Sequence, residues 1–84
     1  MRQALLREKI REVLAMAPAR KFTEQMILDA VNKLVPEPAS LNELRNELSW
    51  NHESDYIDYR HNRDTNLDEW FLTERGKQKQ SLQK

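Results

Sequence analysis

The sequence predicts one mainly α domain, three helices closed by a two-stranded antiparallel β-hairpin. Three observations carry the prediction. Apolar side chains recur at intervals of three and four along three stretches that end near Trp50, the spacing of one helix face. Beyond Asp55 the interval becomes two, the spacing of one face of a strand, in two short runs separated by polar turn formers. The first two helical stretches are followed by Pro18 and Pro36, where an α-helix is interrupted. A chain of 84 residues can build one small core, and is too short for two domains or for an enzyme cleft of ordinary size. Residues 1–76 are expected to form the domain, and residues 77–84 a basic, polar and flexible tail.

Each element has its own local cause. In the first helix, residues 2–16, Leu6, Ile10, Val13 and Leu14 share one face with Ala17 beyond them, and Pro18 marks the end. Thr23 is a suitable N-cap for the run EQMILDAVNKL, with Phe22 placed to pack on Ile27 as a hydrophobic staple. Met26, Ile27, Ala30, Val31 and Leu34 then form its apolar face. Pro36 disfavours a helical Val35, so this helix should stop near Leu34 and PEPA should form a stiff turn. The third helix has the clearest start, because Ser40 and Glu43 make the S-x-x-E capping box. Leu41, Leu44 and Leu48 give it a narrow stripe. Strand one places Ile57 and Tyr59 on one face and Tyr56, Asp58 and Arg60 on the other; strand two, near Glu69 to Leu72, offers Trp70 and Leu72 as its buried pair. Seven or eight polar residues join the strands, with Asn62, Asp64, Asn66 and Asp68 as turn formers. A hairpin of two strands is marginal alone and needs the helices beneath it.

Composition excludes several classes. The 14 basic and 14 acidic side chains cancel, so the chain is not a polycation that binds nucleic acid indiscriminately. Charge is nonetheless uneven: Glu43, Glu47, Glu53, Asp55 and Asp58 stand against Arg45 alone, whereas Arg75, Lys77, Lys79 and Lys84 have no acid among them. No cysteine is present, so stability must come from apolar packing, as suits a reducing cytoplasm. MRQALLREKIRE mixes charge into its apolar positions, unlike a signal peptide, and no run approaches membrane-spanning length. The expectation is a cytoplasmic protein with no membrane partner.

The order helix, helix, short turn, helix, hairpin is where a family resemblance enters. LNELRNELSWNHESDYIDY resembles a recognition helix running into the first wing strand of a winged helix-turn-helix domain. WFLTERGK resembles the second wing strand and the L-T-x-x-G exit common in regulators of the multiple-antibiotic-resistance type. The chain is also similar to small winged-helix proteins carried by bacteriophages and prophages. The resemblance spans roughly residues 4–76. It departs from the family at two positions: Asp55 stands where glycine is usual, although Asp tolerates a left-handed backbone better than most residues. Asn51 extends the leucine stripe where an apolar residue is common, so if buried it needs hydrogen-bond partners, or Trp50 takes over the contact.

The resemblance implies a DNA-binding transcriptional regulator or accessory factor, a homodimer spanning two half-sites. Projected at about 100° per residue, the face opposite the leucines carries Asn42, Asn46, Ser49 and Glu53, with Arg45 and Trp50 at its edges. Asn pairs bidentately with adenine and Arg with guanine, making Asn42, Arg45 and Asn46 the candidate base readers, with Ser49 beside them. At the hairpin loop, Arg60, His61 and Arg63 are the candidate wing contacts, and Arg75, Lys77 and Lys79 candidate backbone contacts. Arg2, Arg7, Lys9 and Arg11 offer a further basic surface, offset in part by Glu8 and Glu12. Thr73 can cap a short frayed helix, and Leu82 can support self-association. Against DNA stand Glu43, Glu47 and Glu53, which would repel phosphates. The alternative is therefore a protein-interaction module that presents the acidic third helix, with Trp50 or Tyr56, to a basic protein partner.

Catalysis has no comparable support. With Gly76 the only glycine there is no phosphate-binding loop, and no nucleophile motif is present. His52, Glu53, Asp55 and His61 have a weak metal-like spacing without a rigid support. No cofactor, metal or enzyme activity is expected.

Overall fold

The structure, a computed structural model, describes residues 2–81. It is mainly α with one antiparallel hairpin: α1 (Arg2–Met16), α2 (Glu24–Asn32), α3 (Leu41–Glu53), β1 (Ile57–Asn62), β2 (Leu67–Leu72) and α4 (Glu74–Ser81). α1 is central and touches α2, α3, α4 and β2. Leu6, Ile10, Val13 and Leu14 from α1 meet Ile27 and Val31 from α2, Leu44 and Leu48 from α3, and Ile57, Trp70 and Leu72 from the hairpin in one core.

Both expected helix starts are present. The Thr23 hydroxyl accepts from Met26 N–H at 3.3 Å, and Ser40 and Glu43 make the reciprocal capping box. α2 ends at Asn32, two residues before the expected Leu34. The Asn32 side chain turns outward from the helix pattern to clamp Ala39, accepting from its N–H at 2.8 Å and donating to its carbonyl at 3.3 Å. Phe22, expected as a staple, also pairs its backbone with Trp70 through hydrogen bonds of 3.2 and 2.7 Å, which lays the α1–α2 connection beside β2.

The α3 C-terminus explains both departures in the sequence. Asp55 has φ 65°, in the left-handed region. Its N–H donates to His52 O at 3.0 Å, and Tyr56 N–H donates to Asn51 O at 2.9 Å, the two bonds of a Schellman cap. Asn51 is fully buried and satisfied, so Trp50 does not replace it; Trp50 stays half-buried, 4.3 Å beneath the Arg7 guanidinium.

Two expectations need correction. There are four helices among the described residues rather than three, because the short helix that Thr73 can cap extends to Ser81. Thr73 caps α4, its hydroxyl accepting from Gly76 N–H at 3.0 Å and donating to Asp55 O. Gly76 lets α4 lie against the hairpin root: a Cβ there would overlap the Tyr56 carbonyl oxygen. The leucine, threonine and glycine of the L-T-x-x-G signature thus serve core, cap and close approach. Lys84 and Leu82 lie outside the described residues. The second correction concerns the hairpin, whose strands run six residues each and leave only residues 63–66 as the loop. Asn62 tightens it by accepting from Asp64 N–H at 2.9 Å, and Asn66 reaches φ 59° to close it.

Candidate nucleic-acid interface

The exposed face of α3 presents Asn42, Arg45, Asn46, Ser49, His52 and Glu53. Helical periodicity located five of these; His52 is the addition, considered from sequence only as a metal ligand. Its ring lies 5.4 Å from the Tyr59 ring and 6.1 Å from that of Trp70, and its Nε2 is 3.4 Å from Asp58. His52 therefore joins α3 to the base of the hairpin.

The acids of α3 do not share that face. Glu43 accepts from Arg2 Nε at 2.8 Å, and Glu47 accepts from Arg7 Nε at 2.7 Å, with Glu47 nearly buried. The Arg2 hydrogen bond, helped by the Ser40 N–H, holds the Glu43 carboxyl below its ordinary range. Both carboxylates pair with α1, contrary to their expected place beside a DNA backbone; Glu47 is buried, Glu43 keeps 41 % of its side chain exposed, and Glu53 is exposed with no ion-pair partner among the described residues. The same pairs occupy the bases of α1. Arg2 and Arg7 hold α3, Lys9 pairs with Glu12 at 2.9 Å, and Arg11 is buried against Asn51. The basic surface expected on α1 is thus spent on internal contacts.

Arg45 is engaged too. Its Nε and Nη2 donate to the two Glu24 oxygens at 3.0 Å each, a bidentate pair that raises the guanidinium above its ordinary range. This contact brings the N-terminus of α2 beside α3. Between them and β2 opens a groove of about 560 Å³, lined by Thr23, Glu24, Leu41, Arg45, His61 and Trp70 among others.

His61 enters this groove from the hairpin. Strand alternation puts it on the same face as Tyr59 and Ile57, opposite Asp68 in the ladder. Its Nδ1 lies 2.8 Å from an Asp68 oxygen and its Nε2 3.1 Å from Asn66 Oδ1. Two acceptors at two ring nitrogens favour the imidazolium, so Asp68 first and Asn66 second raise its pKa. Arg63 is exposed at the loop tip.

Four expected contacts fall elsewhere. Arg60 belongs to β1 and faces the other side of the hairpin, in a cleft with Lys77. Arg75 and Lys79 stand 5.8 and 5.9 Å from the Tyr56 ring, away from the groove-lining residues. Sequence spacing missed Glu24, Arg20 and Lys21. Only the Phe22–Trp70 pairing and the contact of α2 with β2 place these residues near the hairpin. No His, Cys, Asp or Glu group capable of holding a metal occurs among the described residues, and none of their helices is long and apolar enough to cross a membrane. No family model, curated protein or solved structure matches the chain.

Proposed function

We propose that the chain is a winged-helix protein that binds double-stranded DNA, with α3 in the major groove and the β1–β2 hairpin as its wing, serving as a small transcriptional regulator or accessory factor of the phage type. The observation that carries this reading is the inward pairing of Glu43 and Glu47 with Arg2 and Arg7. It neutralises two of the three carboxylates that opposed a phosphate surface, and Asn42, Asn46 and Ser49 stand on an open face. Further support comes from the order of elements and from the short Phe22 bridge that joins the α1–α2 connection to the wing. The protein-interaction alternative depended on those carboxylates being free, and so has less to recommend it.

In the proposed complex Asn42 and Asn46 read base edges, while His61 and Arg63 hold the backbone. Arg45 contributes only as far as DNA competes with Glu24 for its guanidinium. A dimer would set two such faces on successive half-sites.

An amide NMR titration with mixed-sequence duplex at low and at higher salt tests the reading. Shifts centred on residues 42–49, His61 and Arg63 that fade with salt are expected. Arg63→Ala should weaken binding to all sequences, and Asn46→Ala should change preference among them, by about 1–3 kcal/mol at one base position. A protein whose amides do not respond even at low salt does not bind duplex DNA, and the proposal then fails.

A further inference from the structure

On the face of the hairpin opposite His61, four cations surround one cleft. Arg20 and Lys21 come from the α1–α2 connection, Arg60 from β1 and Lys77 from α4, with Phe71 and Pro18 among the apolar lining; the volume is about 250 Å³. No carboxylate among the described residues lines it. All four cations are exposed, and among the described residues none of Arg20, Lys21 and Arg60 has an ion-pair partner. Lys77 has only a 3.8 Å contact with Glu74. Glu69 lies across the ladder from Arg60, but its carboxylate accepts from Asn62 at 3.2 Å. By contrast, the basic side chains on α1 and α3 described above are paired or buried. The rear of the hairpin thus gathers four cations of which three have no ion-pair partner among the described residues, Arg20 also lying 5.7 Å from the Phe22 ring.

The two sites draw on different strand residues. His61 and Trp70 line the α3 groove, whereas Arg60 and Phe71 line the rear cleft, and alternate residues of a strand point to opposite faces; only the strand-end residues Leu67, in the groove, and Leu72, in the cleft, depart from that division. We propose that the rear cleft is a second nucleic-acid contact that takes the phosphodiester backbone of another duplex segment, so that one protein molecule bridges two. This rests on the DNA-binding reading above. Cations from three parts of the chain, spread round an open rim, suit a polymer with regularly spaced charge. A compact anion would use only one or two of them.

The test mixes short duplexes carrying donor and acceptor dyes with the full chain at low salt, and reads energy transfer between duplexes together with anisotropy of one duplex at limiting concentration. Wild type is expected to bring the duplexes together. Arg20→Gln with Lys21→Gln should weaken that second association by at least about tenfold, since two phosphate contacts are lost, while single-duplex anisotropy is kept. Asn46→Ala with Arg63→Ala should show the reverse preference, losing the α3 seat and keeping one duplex at the rear. Unchanged energy transfer in the Arg20/Lys21 variant would overturn the inference, since bridging would then come from protein dimers. Loss of all duplex binding in that variant would overturn it too, making the cleft the primary seat. One duplex bound by wild type with no energy transfer sinks this inference alone, whereas no duplex bound at all sinks the DNA reading with it. Displacement by poly-glutamate at lower concentration than by unlabelled duplex would assign the cleft to an acidic protein segment instead.

Discussion

Replacing Asn51 with Ala should be among the most damaging single changes in this chain, although the family resemblance makes an apolar residue ordinary there. Asn51 is 0 % exposed. Its Oδ1 accepts from Arg11 Nη1 at 2.9 Å, and its Nδ2 donates to Arg7 O at 3.2 Å and Glu47 O at 3.1 Å. Those two carbonyls belong to helix backbones and keep their helical partners, so each lost bond there costs about 0.5–1 kcal/mol. Arg11 matters more. It is buried, its Nε has no hydrogen bond among the described residues, and its only ring neighbour is Tyr56 at 5.3 Å. Burial accordingly lowers its pKa, and removing Oδ1 strands a desolvated cation at a cost of about 2–3 kcal/mol. The sum is about 4 kcal/mol, against the roughly 5–15 kcal/mol that holds a domain together. In urea the unfolding midpoint should fall by roughly 1–4 M at an ordinary slope. The partner test is Asn51→Leu combined with Arg11→Leu, which removes both polar groups and should be more stable than Asn51→Ala alone. A cost below about 1 kcal/mol for Asn51→Ala, or strict additivity in the double variant, would refute the account of a buried amide serving a buried cation.

Four further outcomes are expected. Asp55→Gly should stabilise by about 1 kcal/mol, because glycine enters the left-handed region without strain and an acid leaves a helix C-terminus; thermal unfolding reads the sign, and a lower melting temperature contradicts the Schellman assignment. Gly76→Ala should dislodge α4 from the Tyr56 carbonyl, and hydrogen exchange at residues 74–81 should accelerate while the α1 core amides stay protected. The pH response follows from His61: its folded pKa is raised above 6.5, so its contribution to the hairpin is fully present below the unfolded value and lost as pH rises through the folded one. NMR titration should place the His61 pKa above that of an unfolded histidine in wild type and return it toward 6.5 in Asp68→Asn. Finally, Glu24→Gln should free Arg45 and strengthen duplex binding severalfold at low salt; weaker binding would mean that the Glu24–Arg45 pair is itself what positions α3.

The internal pairing also explains how a chain of zero net charge can carry a basic surface. Its acids are not distributed like its bases. Glu43, Glu47, Glu12 and Glu24 are committed to Arg2, Arg7, Lys9 and Arg45, which leaves Arg20, Lys21, Arg60 and Arg63 without an ion-pair partner among the described residues. Local potential, rather than the total, governs what approaches such a protein.

What the sequence determined by itself is what depends on near neighbours. Thr23 and Ser40 capped their helices because a cap needs only the next turn. The leucine stripe of α3, the exposed Asn42, Asn46 and Ser49, and the buried Trp70 and Leu72 followed from periods of 3.6 and two. The tertiary structure alone decided which way the charges point. Glu43 and Glu47 meet arginines 41 and 40 positions away, and no local pattern says that α1 will lie alongside α3. The fate of α4 belongs to the same class: its polar sequence has little helical strength of its own, and it is helical because a threonine cap and a glycine without a Cβ let it dock on the hairpin root. Arg60 and His61, adjacent in sequence, ended on opposite faces of the hairpin because the strand runs three residues past Tyr59, the last of its apolar pattern, and alternation then separates neighbours.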